Sequence, residues 1–495
     1  MADVLIAEVQ RGSSTRAYLK KGAKKLFIGG KWVDSLSGRT FDTIDPATGA
    51  VLCAVAEADA ADVDRAVAAA TKAFEDPSWS GMSPHERSRL LLKLADVLEA
   101  NLDEISTLQS QDMGLFHPFS QGMTVGMADV LRYYAGWVTK IFGNTFPQNG
   151  PGLTYTKREP LGVVGAIIPW NGPVLATIWK IAPALACGNT VVLKPAEQAP
   201  LIPLRLAELF QEAGLPDGVL NVLTGDGSVG AAMVAHPGIA KISFTGSTET
   251  GKRIISEGAR TLKRVTVELG GKSPTIIFPD ADLDKAIPTA TMGFTLGAGQ
   301  GCVCGTRILV HESVYGEVAK QITAAAGAMK VGDPFDLSTQ ITPIISQEQL
   351  DRITGYIDIG RDEGATVATG GSRYGAIGYY MQPTVFTGVH NQMRIMQEEI
   401  FGPVGAVMPF KDIEEAIKLA NDVSYGLSAS VWTKDLATAQ RVSDAAKAGI
   451  VWVNTIFEMD VMAPFGGYKS SGIGRELGPD SLEAFTQTKT VVLRY

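Results

Sequence analysis

The central part of the chain alternates between short runs of β-branched residues and longer stretches with helical spacing. The runs predict strands at Gly162–Ile168, Thr190–Lys194, Val219–Thr224, Lys241–Phe244 and Arg264–Glu268. Strands and helices alternating at this spacing predict a parallel sheet with helices on both faces. Such a sheet is a common dinucleotide-binding architecture, although fold alone is only an association with function.

The same alternation starts again after Gly270 and predicts a second α/β unit. It includes strands at Thr275–Phe278 and Arg307–His311, a helix around Val314–Met329, and a strand–helix–strand unit from Ala429 to Asn454. Two units of this kind place a ligand site in the cleft between them.

A long amphipathic helix is predicted for residues 83–110. Ser83 and Glu86 form a capping box around a proline at the first helical position. The apolar stripe that follows recurs at three- and four-residue spacing. Its members are Leu91, Leu94, Leu98, Leu102 and Ile105.

The composition bounds the class of protein. The chain has 495 residues, too many for one core, so two or three domains are expected. A content of 45% hydrophobic and 19% charged residues is typical of soluble globular proteins. The net charge of −8 disfavours nucleic acid as the main partner, because that partner favours a basic face.

Neither a membrane span nor a secretory signal is predicted, so we expect a cytoplasmic protein. The longest apolar run, from Pro173 to Cys187, is interrupted by Lys180 and is shorter than a span. The N-terminal residues lack the apolar core of a signal peptide. A basic cluster there is expected to form a solvated, loosely ordered arm. Its members are Arg11, Arg16, Lys20, Lys21, Lys24 and Lys25.

Four cysteines occur, at positions 53, 187, 302 and 304. Their scatter suits a reducing compartment rather than a disulfide framework. Cys302 and Cys304 are too close for an easy disulfide and lack the second pair that a zinc site needs, so no metal is expected. In an extended loop their side chains would point to opposite sides. Cys302 is therefore predicted to be the reactive thiol, and Cys304 a packing residue.

Cys302 lies in a segment, residues 297–305, that is rich in glycine and free of charge. Glycine lets a ligand approach the backbone closely, which favours a nucleophile at this position. The alternative is a small buried apolar side chain, the usual state of a free cysteine.

Two polar residues strengthen the nucleophile hypothesis. Glu268 ends a strand that a Gly-Gly pair terminates, where catalytic groups of α/β sheets are found. Asn171 lies in a rigid turn between two prolines. Taken singly, the first indicates a solvated carboxylate and the second an amide bonded to its own backbone. Together with Cys302 they form a base, an oxyanion donor and a nucleophile.

The stretches around Glu268 and Cys302 resemble the two active-site signatures of the aldehyde dehydrogenase superfamily, in its NAD(P)-dependent, hydrolytic type. Other landmarks occur in the family's order and extend the resemblance over residues 27–495. They are Pro169-Trp170-Asn171, Lys194-Pro195-Ala196-Glu197, Phe244-Thr245-Gly246-Ser247, Glu398-Glu399-Ile400-Phe401 and Pro464-Phe465-Gly466-Gly467. The resemblance implies oxidation of an aldehyde to the carboxylic acid with NAD.

The resemblance also implies an α/β fold with two doubly wound parallel-sheet domains and a small β oligomerisation domain. The Rossmann-like cofactor domain is expected at 1–139 and 159–269, and the catalytic domain at 270–485. The oligomerisation segments are expected at 140–158 and 486–495. The last of these is a strong strand, which is a liability unless paired. A homodimer or homotetramer is implied.

In the family's chemistry, the Cys302 thiolate attacks the aldehyde to form a thiohemiacetal, which passes hydride to nicotinamide. Water activated by Glu268 hydrolyses the resulting thioester, a step that phosphorylating and CoA-acylating relatives do without. The Asn171 amide and the Cys302 N–H stabilise the oxyanion. Lys180 and Glu476 match positions linked to proton movement, although the residues alone indicate only surface charges.

Two glycine-rich turns compete for the phosphates of the cofactor. Residues 225–230 fit the G-x-G-x-x-G pattern, whereas residues 244–247 offer N–H groups at a helix N-terminus. The resemblance assigns the phosphates to Ser247 and the adenine to the 225–230 turn. The cofactor contacts that it implies are Ile167, Pro169, Trp170, Lys194, Glu197, Gly227, Gly230, Phe244, Gly246, Ser247, Leu269, Glu399 and Phe401.

The choice between NAD and NADP depends on Lys194 and Glu197, which follow a strand and singly suggest surface charges. In the family they bind the adenosine ribose, and the carboxylate favours NAD, with NADP as the alternative. Glu399 and Phe401 correspond to residues that hold the nicotinamide ribose and ring. The pattern alone indicates an exposed charge at Glu399.

The implied substrate pocket departs from the family's usual pattern. Gly172, Leu296 and Met459 stand where aromatic residues are common. This loss of bulk predicts a wide pocket for bulky or long apolar aldehydes, and no basic residue stands out as a carboxylate clamp. The pocket residues are Gly172, Trp179, Leu296, Met459 and Phe465.

Two other classes of protein compete with this interpretation. A cysteine hydrolase would pair the thiol with histidine, but none of the five histidines lies in a recognisable catalytic motif. A binding protein that only keeps the fold should have lost its nucleophile or its base, and both are present.

Overall fold

A computed structural model describes residues 14–495 of the chain. Its strands are β1 (Leu26–Ile28), β2 (Lys31–Val33), β3 (Thr40–Ile44), β4 (Val51–Ala56), β5 (Thr145–Phe146), β6 (Leu153–Pro160), β7 (Val163–Ile167), β8 (Thr190–Lys194), β9 (Leu220–Val222), β10 (Lys241–Thr245), β11 (Arg264–Glu268), β12 (Pro274–Ile277), β13 (Arg307–His311), β14 (Thr366–Thr369), β15 (Thr384–Thr387), β16 (Val404–Phe410), β17 (Tyr425–Gly426), β18 (Ser428–Trp432), β19 (Ile450–Val453), β20 (Tyr468–Lys469), β21 (Gly472–Ile473) and β22 (Thr486–Leu493).

The helices cover the sheets and connect their strands. They are α1 (Arg16–Leu19), α2 (Ala60–Glu75), α3 (Pro77–Ser80), α4 (Pro84–Ala100), α5 (Leu102–Met113), α6 (His117–Trp137), α7 (Pro173–Ala186), α8 (Leu201–Glu212), α9 (Gly227–Ala235), α10 (Thr248–Gly258), α11 (Leu283–Thr295), α12 (Glu312–Gly327), α13 (Gln347–Asp362), α14 (Arg394–Gln397), α15 (Ile413–Asn421), α16 (Leu436–Ala445) and α17 (Asp480–Ala484).

The first large sheet has the strand order β2-β1-β9-β8-β7-β10-β11-β21. Its strands from β9 to β11 are mutually parallel, as predicted, and short antiparallel strands close both edges. β8 and β11 have the predicted bounds, and the other three differ by one or two residues at one or both ends. β7 and β8 are buried along their whole length because helices cover both faces. β21 reaches this sheet from residues 472–473, far along the chain.

The second large sheet has the order β14-β15-β16-β13-β12-β18-β19 and is parallel except at its β14 edge. This is the second α/β unit that the alternation predicts after Gly270. β13 has the predicted bounds, and α12 lies two residues before the predicted helix at both ends.

A small third sheet has the order β22-β6-β5. β22 pairs antiparallel with β6 along its whole length, from Thr486 opposite Pro160 to Leu493 opposite Leu153. The C-terminal strand is therefore paired on one side within its own chain.

The prediction of one helix over residues 83–110 is wrong, because the segment forms two helices, α4 and α5. Asn101 lies between them with φ −109° and ψ 22°, outside the helical region, and its side-chain nitrogen donates to a carbonyl of the preceding turn. This side-chain bond gives the backbone an alternative to continuing the helix. The capping box is confirmed, since Ser83 and Glu86 exchange side-chain-to-backbone hydrogen bonds.

The prediction of a solvated basic arm is also wrong in part. Lys24 is buried, and its ammonium donates to the carbonyl of Tyr18 and lies 4.3 Å from the centroid of the Tyr18 ring. Tyr18 itself packs in the largest core cluster. Other members of the basic N-terminal cluster are exposed, namely Arg16, Lys20, Lys21 and Lys25. Arg11 lies outside the described residues. Within residues 14–495, no helix combines the length and the apolar character that crossing a membrane requires.

Candidate active site

The thiol, the carboxyl and the amide meet where the two α/β units face each other. Cys302 lies in the loop between α11 and β13, Glu268 ends β11, and Asn171 precedes α7. All three residues line one apolar pocket and also a neighbouring cavity. The structure thus brings together the three residues that the sequence singles out.

The loop before Cys302 is held in a conformation that favours glycine. Gly297 and Gly299 have φ of 58° and 68°, and a Cβ on Gly299 would lie 2.2 Å from the carbonyl oxygen of Gly402. Gln300 fixes the loop from inside, because its side-chain oxygen accepts from the N–H of Ile345 at 2.9 Å. Its side-chain nitrogen donates to two backbone carbonyls at 3.2 Å.

The Gly-Gly pair after β11 lets two functional groups approach the backbone. A Cβ on Gly271 would lie 2.2 Å from the carbonyl oxygen of Cys302, and one on Gly270 would lie 2.2 Å from a carboxylate oxygen of Glu399. The N–H of Gly271 donates to that carboxylate at 2.9 Å. From sequence the pair only marks the end of a strand, whereas in the structure it lets the Cys302 loop and Glu399 approach closely.

Glu268 is buried, with 4% of its surface exposed, and neither of its carboxyl oxygens has a hydrogen-bond partner among the described residues. Burial raises the pKa of this carboxyl well above its usual value, and the charge of Glu476 raises it further. Lys180 and Arg475 oppose this rise. Such a carboxyl binds a proton more readily than one in water, a property that suits a general base.

Burial also raises the pKa of the Cys302 thiol, and the charges of Glu399, Cys304 and Glu268 add to the effect. The thiol is therefore mostly protonated at neutral pH in the protein alone.

Alkylation of Cys302 is expected to be slow at neutral pH and to accelerate as the pH rises, because only the thiolate attacks. Below the pKa, each pH unit raises the thiolate fraction, and with it the rate, about 10-fold. The rate is measured with iodoacetamide from about pH 6 to about pH 9, with mass spectrometry of the Cys302 peptide. A rate that is flat across this range would contradict the raised pKa.

Asn171 is held against the loop that carries Cys302. Its side-chain nitrogen donates to the backbone carbonyl of Gln300 at 2.9 Å. An amide nitrogen carries a second proton. The residue lines both cavities next to Cys302.

Lys180 and Glu476 are not surface charges, so the interpretation from the residues alone is wrong. Both are buried, and the ammonium of Lys180 donates to the carboxylate of Glu476 at 2.5 Å. Glu476 also lines the apolar pocket. The partners are 296 residues apart in sequence, which is why no local pattern indicates the pair.

The apolar pocket encloses about 210 Å³. It is lined by all five of the predicted pocket residues, Gly172, Trp179, Leu296, Met459 and Phe465. Sequence reasoning missed a group from α5, α6 and other segments, because their spacing marks them only as core residues. This group comprises Met113, Leu115, Phe119, Met123, Leu175 and Phe457. Among the described residues, neither lysine nor arginine lines the pocket.

Cys304 does not lie opposite Cys302, as an extended loop would predict. The N–H of Cys304 donates to the carbonyl of Gly301 at 3.2 Å, so the segment turns instead of running straight. Cys304 is buried, as predicted for a packing residue, yet it lines the same pocket as Cys302.

A cleft on the other side of the three residues has the size and the groups of a dinucleotide site. Its larger part encloses about 520 Å³, and a smaller part of about 190 Å³ reaches Cys302. The larger part is lined by Ile167, Pro169, Trp170, Lys194, Glu197, Gly227, Gly230, Phe244, Gly246 and Ser247. The smaller part is lined by Leu269, Glu399 and Phe401, and also by Gln349 and Arg352, which sequence reasoning missed.

Three features of this cleft fit a dinucleotide. A Cβ on Gly227 would meet nothing within 4 Å, and one on Gly230 nothing closer than 3.7 Å, so both glycines leave space open there. Ser247 caps the N-terminus of α10, where backbone N–H groups favour phosphate. The hydroxyl of Thr245 is buried without a hydrogen-bond partner among the described residues and lies where the cavities meet.

Glu399 is not the exposed charge that the pattern alone indicates. Its side chain is half-buried, and burial raises the pKa of its carboxyl to about 7. Phe401 has a φ of 62°, which is unusual for a residue with a side chain. Its ring packs edge-to-face on Trp170, with 5.3 Å between the ring centroids. Glu399 and Phe401 thus form one wall of the smaller part of the cleft.

A thiol, a carboxyl and an amide lie between an apolar pocket and a dinucleotide-sized cleft, an arrangement that fits an α/β enzyme with a nucleotide cofactor. The sequence profile of the Aldehyde dehydrogenase family matches residues 32–491. The chain therefore belongs to the aldehyde dehydrogenase family.

Named relatives and a solved structure show how close this similarity is. The mitochondrial benzaldehyde dehydrogenase of Antirrhinum majus is 48% identical over 473 residues, covering 94% of this chain and 88% of that protein. Aldehyde dehydrogenase, cytosolic 1, of Mus musculus is 48% identical over 482 residues, covering 97% and 96%. An NAD⁺ complex of the Bacillus cereus aldehyde dehydrogenase superposes with a TM-score of 0.96 at 46% identity, covering 98% of this chain and 99% of that one.

Proposed function

We propose that this enzyme oxidises bulky or long apolar aldehydes to carboxylic acids with NAD, through a thioester on Cys302. The observation that carries the proposal is the position of Cys302, which lines both the apolar pocket and the smaller part of the cleft. A carbonyl carbon bound to its sulfur would lie between the two.

The three central residues share the steps of this chemistry. The Cys302 thiolate adds to the carbonyl carbon, and the Asn171 side chain with the Cys302 N–H stabilises the oxyanion that forms. One such donor contributes about 10²–10³ in rate. Glu268 then removes a proton from the water that attacks the thioester, which releases the acid and the free thiol. Lys180 and Glu476 serve to move that proton away.

The cofactor residues are proposed to hold NAD in the cleft, where the nicotinamide ring supplies the hydride acceptor. The carboxylate of Glu197 would bond a ribose hydroxyl and repel a 2′-phosphate, which favours NAD over NADP. Ser247 at the start of α10 would bind the phosphates, and Glu399 with Phe401 the nicotinamide half. In support, the similar Bacillus cereus enzyme forms an NAD⁺ complex.

The division into domains follows the same proposal. Residues 1–139 and 159–269 form the cofactor domain, 270–485 the catalytic domain, and 140–158 with 486–495 the oligomerisation segments. The β22-β6-β5 sheet supports a homodimer or homotetramer, because β22 keeps one edge that a second copy could pair. We place the enzyme in the cytoplasm, as the name of the mouse relative states for that protein.

The apolar lining supports the substrate class. Most of the pocket wall is aliphatic or aromatic, and the pocket lacks lysine and arginine among the described residues, so it offers a carboxylate no ionic partner. One relative is named as a benzaldehyde dehydrogenase, an enzyme of a bulky apolar aldehyde.

An aldehyde panel with NAD or NADP tests the proposal, and the absorbance of the reduced cofactor at about 340 nm gives the rate. We expect kcat/KM to rise from acetaldehyde to benzaldehyde and longer alkyl aldehydes.

Gly172→Phe is expected to lower kcat/KM for benzaldehyde about 10-fold and to leave that for acetaldehyde unchanged, since one methylene in a pocket is worth about 10–200-fold. The backbone allows the change: φ of Gly172 is −167°, and the nearest atom to its Cβ site is 3.7 Å away.

Gly316→Ala is the matched control, because this glycine lies on the exposed side of α12 with nothing within 4 Å of its Cβ site. A kcat/KM that rises toward the small aldehydes would reject the substrate class. If none of the aldehydes in the panel gives reduced cofactor, the proposed activity is rejected.

A further inference from the structure

Two neighbouring strands of the first sheet carry polar residues on one face. Lys241 lies opposite Arg264, Ser243 opposite Thr266, and Thr245 opposite Glu268. We call these six residues the polar strip. Because side chains alternate along a strand, all six lie on the same face of β10 and β11. Strands buried inside a parallel sheet are normally apolar throughout, so the strip needs an explanation.

The polar strip runs from the active site to the surface of the protein. At one end Glu268 and Thr245 line the substrate pocket. In the middle Ser243 is buried and Thr266 is half-buried. At the other end Lys241 is fully buried beside Arg264, which is exposed.

Hydrogen bonds connect the strip to the buried ion pair. The ammonium of Lys180, which donates to Glu476, also lies 3.3 Å from the hydroxyl of Ser243. Ser243 and Thr266 share a hydrogen bond of 3.5 Å, the longest link of the series. The amine of Lys241 is 2.9 Å from the hydroxyl of Thr266.

The overall reaction requires a route of this kind. Hydrolysis of the thioester puts a proton from water on Glu268, and the base must lose it before the next turnover. The apolar pocket on one side of Glu268 offers few groups that can carry a proton. Serine and threonine hydroxyls both donate and accept, so they can pass one along.

We propose that the buried ion pair and the polar strip form a proton path. The proton passes from Glu268 to Glu476 across the pocket that both residues line, and then by way of Lys180, Ser243 and Thr266 to Lys241, at the end of the strip away from the pocket. This inference rests on the proposed function, because it concerns the hydrolytic step. Lys180 gives a proton to Ser243 and receives one from Glu476. Ser243 gives its own to Thr266, and Thr266 gives its own to the amine of Lys241. No atom is oxidised, and one proton moves from Glu268 to Lys241.

The surroundings of Lys241 suit an acceptor at the end of the path. Burial lowers the pKa of its ammonium to about 7, so that the neutral amine is present at and above this pH. The charged groups that act on it are Lys180 from α7, Glu476 from the segment after β21, and Arg264 from β11. The ring of Phe485 covers the amine, with 5.0 Å between nitrogen and centroid. Lys241 touches no reacting atom, so it is a positioning residue.

Thr266→Val breaks the path with almost no change of volume, and Lys241→Met removes its last acceptor. In both variants the first NADH per active site should form normally, and acid formation should slow about 10-fold. This loss is smaller than the factor of about 10²–10⁴ in rate that a direct acid–base catalyst contributes. Imidazole buffer should restore the rate as its concentration rises, because a small base can collect the proton through the pocket. A purely structural role would not produce this buffer dependence.

Thr266→Ser and Lys263→Met are the controls and should match the wild type. The first keeps the hydroxyl, and the second removes a buried lysine whose amine is bonded to backbone carbonyls away from the strip. If Lys241→Met does not fold, as circular dichroism would show, Thr266→Val decides alone. Wild-type acid formation by Thr266→Val, or a slower rate that imidazole leaves unchanged, would overturn the path. A wild type that forms no NADH with any aldehyde would overturn the proposed function itself.

Discussion

Cys302→Ala is expected to abolish NADH formation with every aldehyde, by on the order of 10⁶-fold in kcat if the loss resembles that of other covalent nucleophiles. The physical reason is that Cys302 lines both the apolar pocket and the smaller part of the cleft, whereas the thiol of Cys304 lines the pocket alone. Stopped-flow absorbance measures both the first turnover and the steady state. Both should be lost, because the thiohemiacetal precedes hydride transfer.

Cys304→Ala is the matched control for this variant. It removes a thiol from the same pocket, two residues away and buried, and should keep kcat close to that of the wild type. NAD binding, followed by calorimetry, should be retained in both variants, because neither thiol lines the larger part of the cleft. An active Cys302→Ala with intact cofactor binding would reject the thioester mechanism.

The parts of the structure that sequence predicts well are those set by local patterns. β8 and β11 are short runs rich in β-branched residues and bounded by turn residues, and the structure has them at the predicted bounds. The capping box at Ser83 is likewise local, and it is present. The break at Asn101 was missed because an asparagine on the polar side of a helix fits the apolar stripe equally well. The side-chain bond to the helix end decides the outcome there.

In the candidate site, too, local motifs predict some residues, and contacts between distant segments determine the others. Cys302, Glu268 and Asn171 stand in short motifs and are found together, whereas the burial of Lys180 and Glu476 depends on contacts between distant segments. The pocket-lining residues of α5 and α6 were missed for the same reason. Their methionines and aromatic residues carry ordinary helical spacing, and only the packing of those helices against α7 places them around the pocket. The polar strip could have been found, because its alternation is visible in residues 241–245 and 264–268.

Glu268→Gln is expected to separate the two halves of the reaction. Glutamine has nearly the same shape and no charge, so the Cys302 loop should keep its conformation and the first NADH should form. Hydrolysis should fall by about 10²–10⁴-fold, the contribution of a general base, because an amide cannot take a proton from water. Stopped-flow absorbance gives the first turnover, and quenched-flow analysis of the acid gives the second half.

The pH dependence of hydrolysis gives this variant an independent readout. Burial raises the pKa of the Glu268 carboxyl, so the protein holds less of the basic form at low pH, and wild-type acid formation should rise as the pH passes through the raised pKa. Glu268→Gln should lose this rise together with the rate. Glu312→Gln, on the exposed first turn of α12, is the control and should keep both. Acid formation at the wild-type rate in Glu268→Gln would show that water is activated by a group other than Glu268.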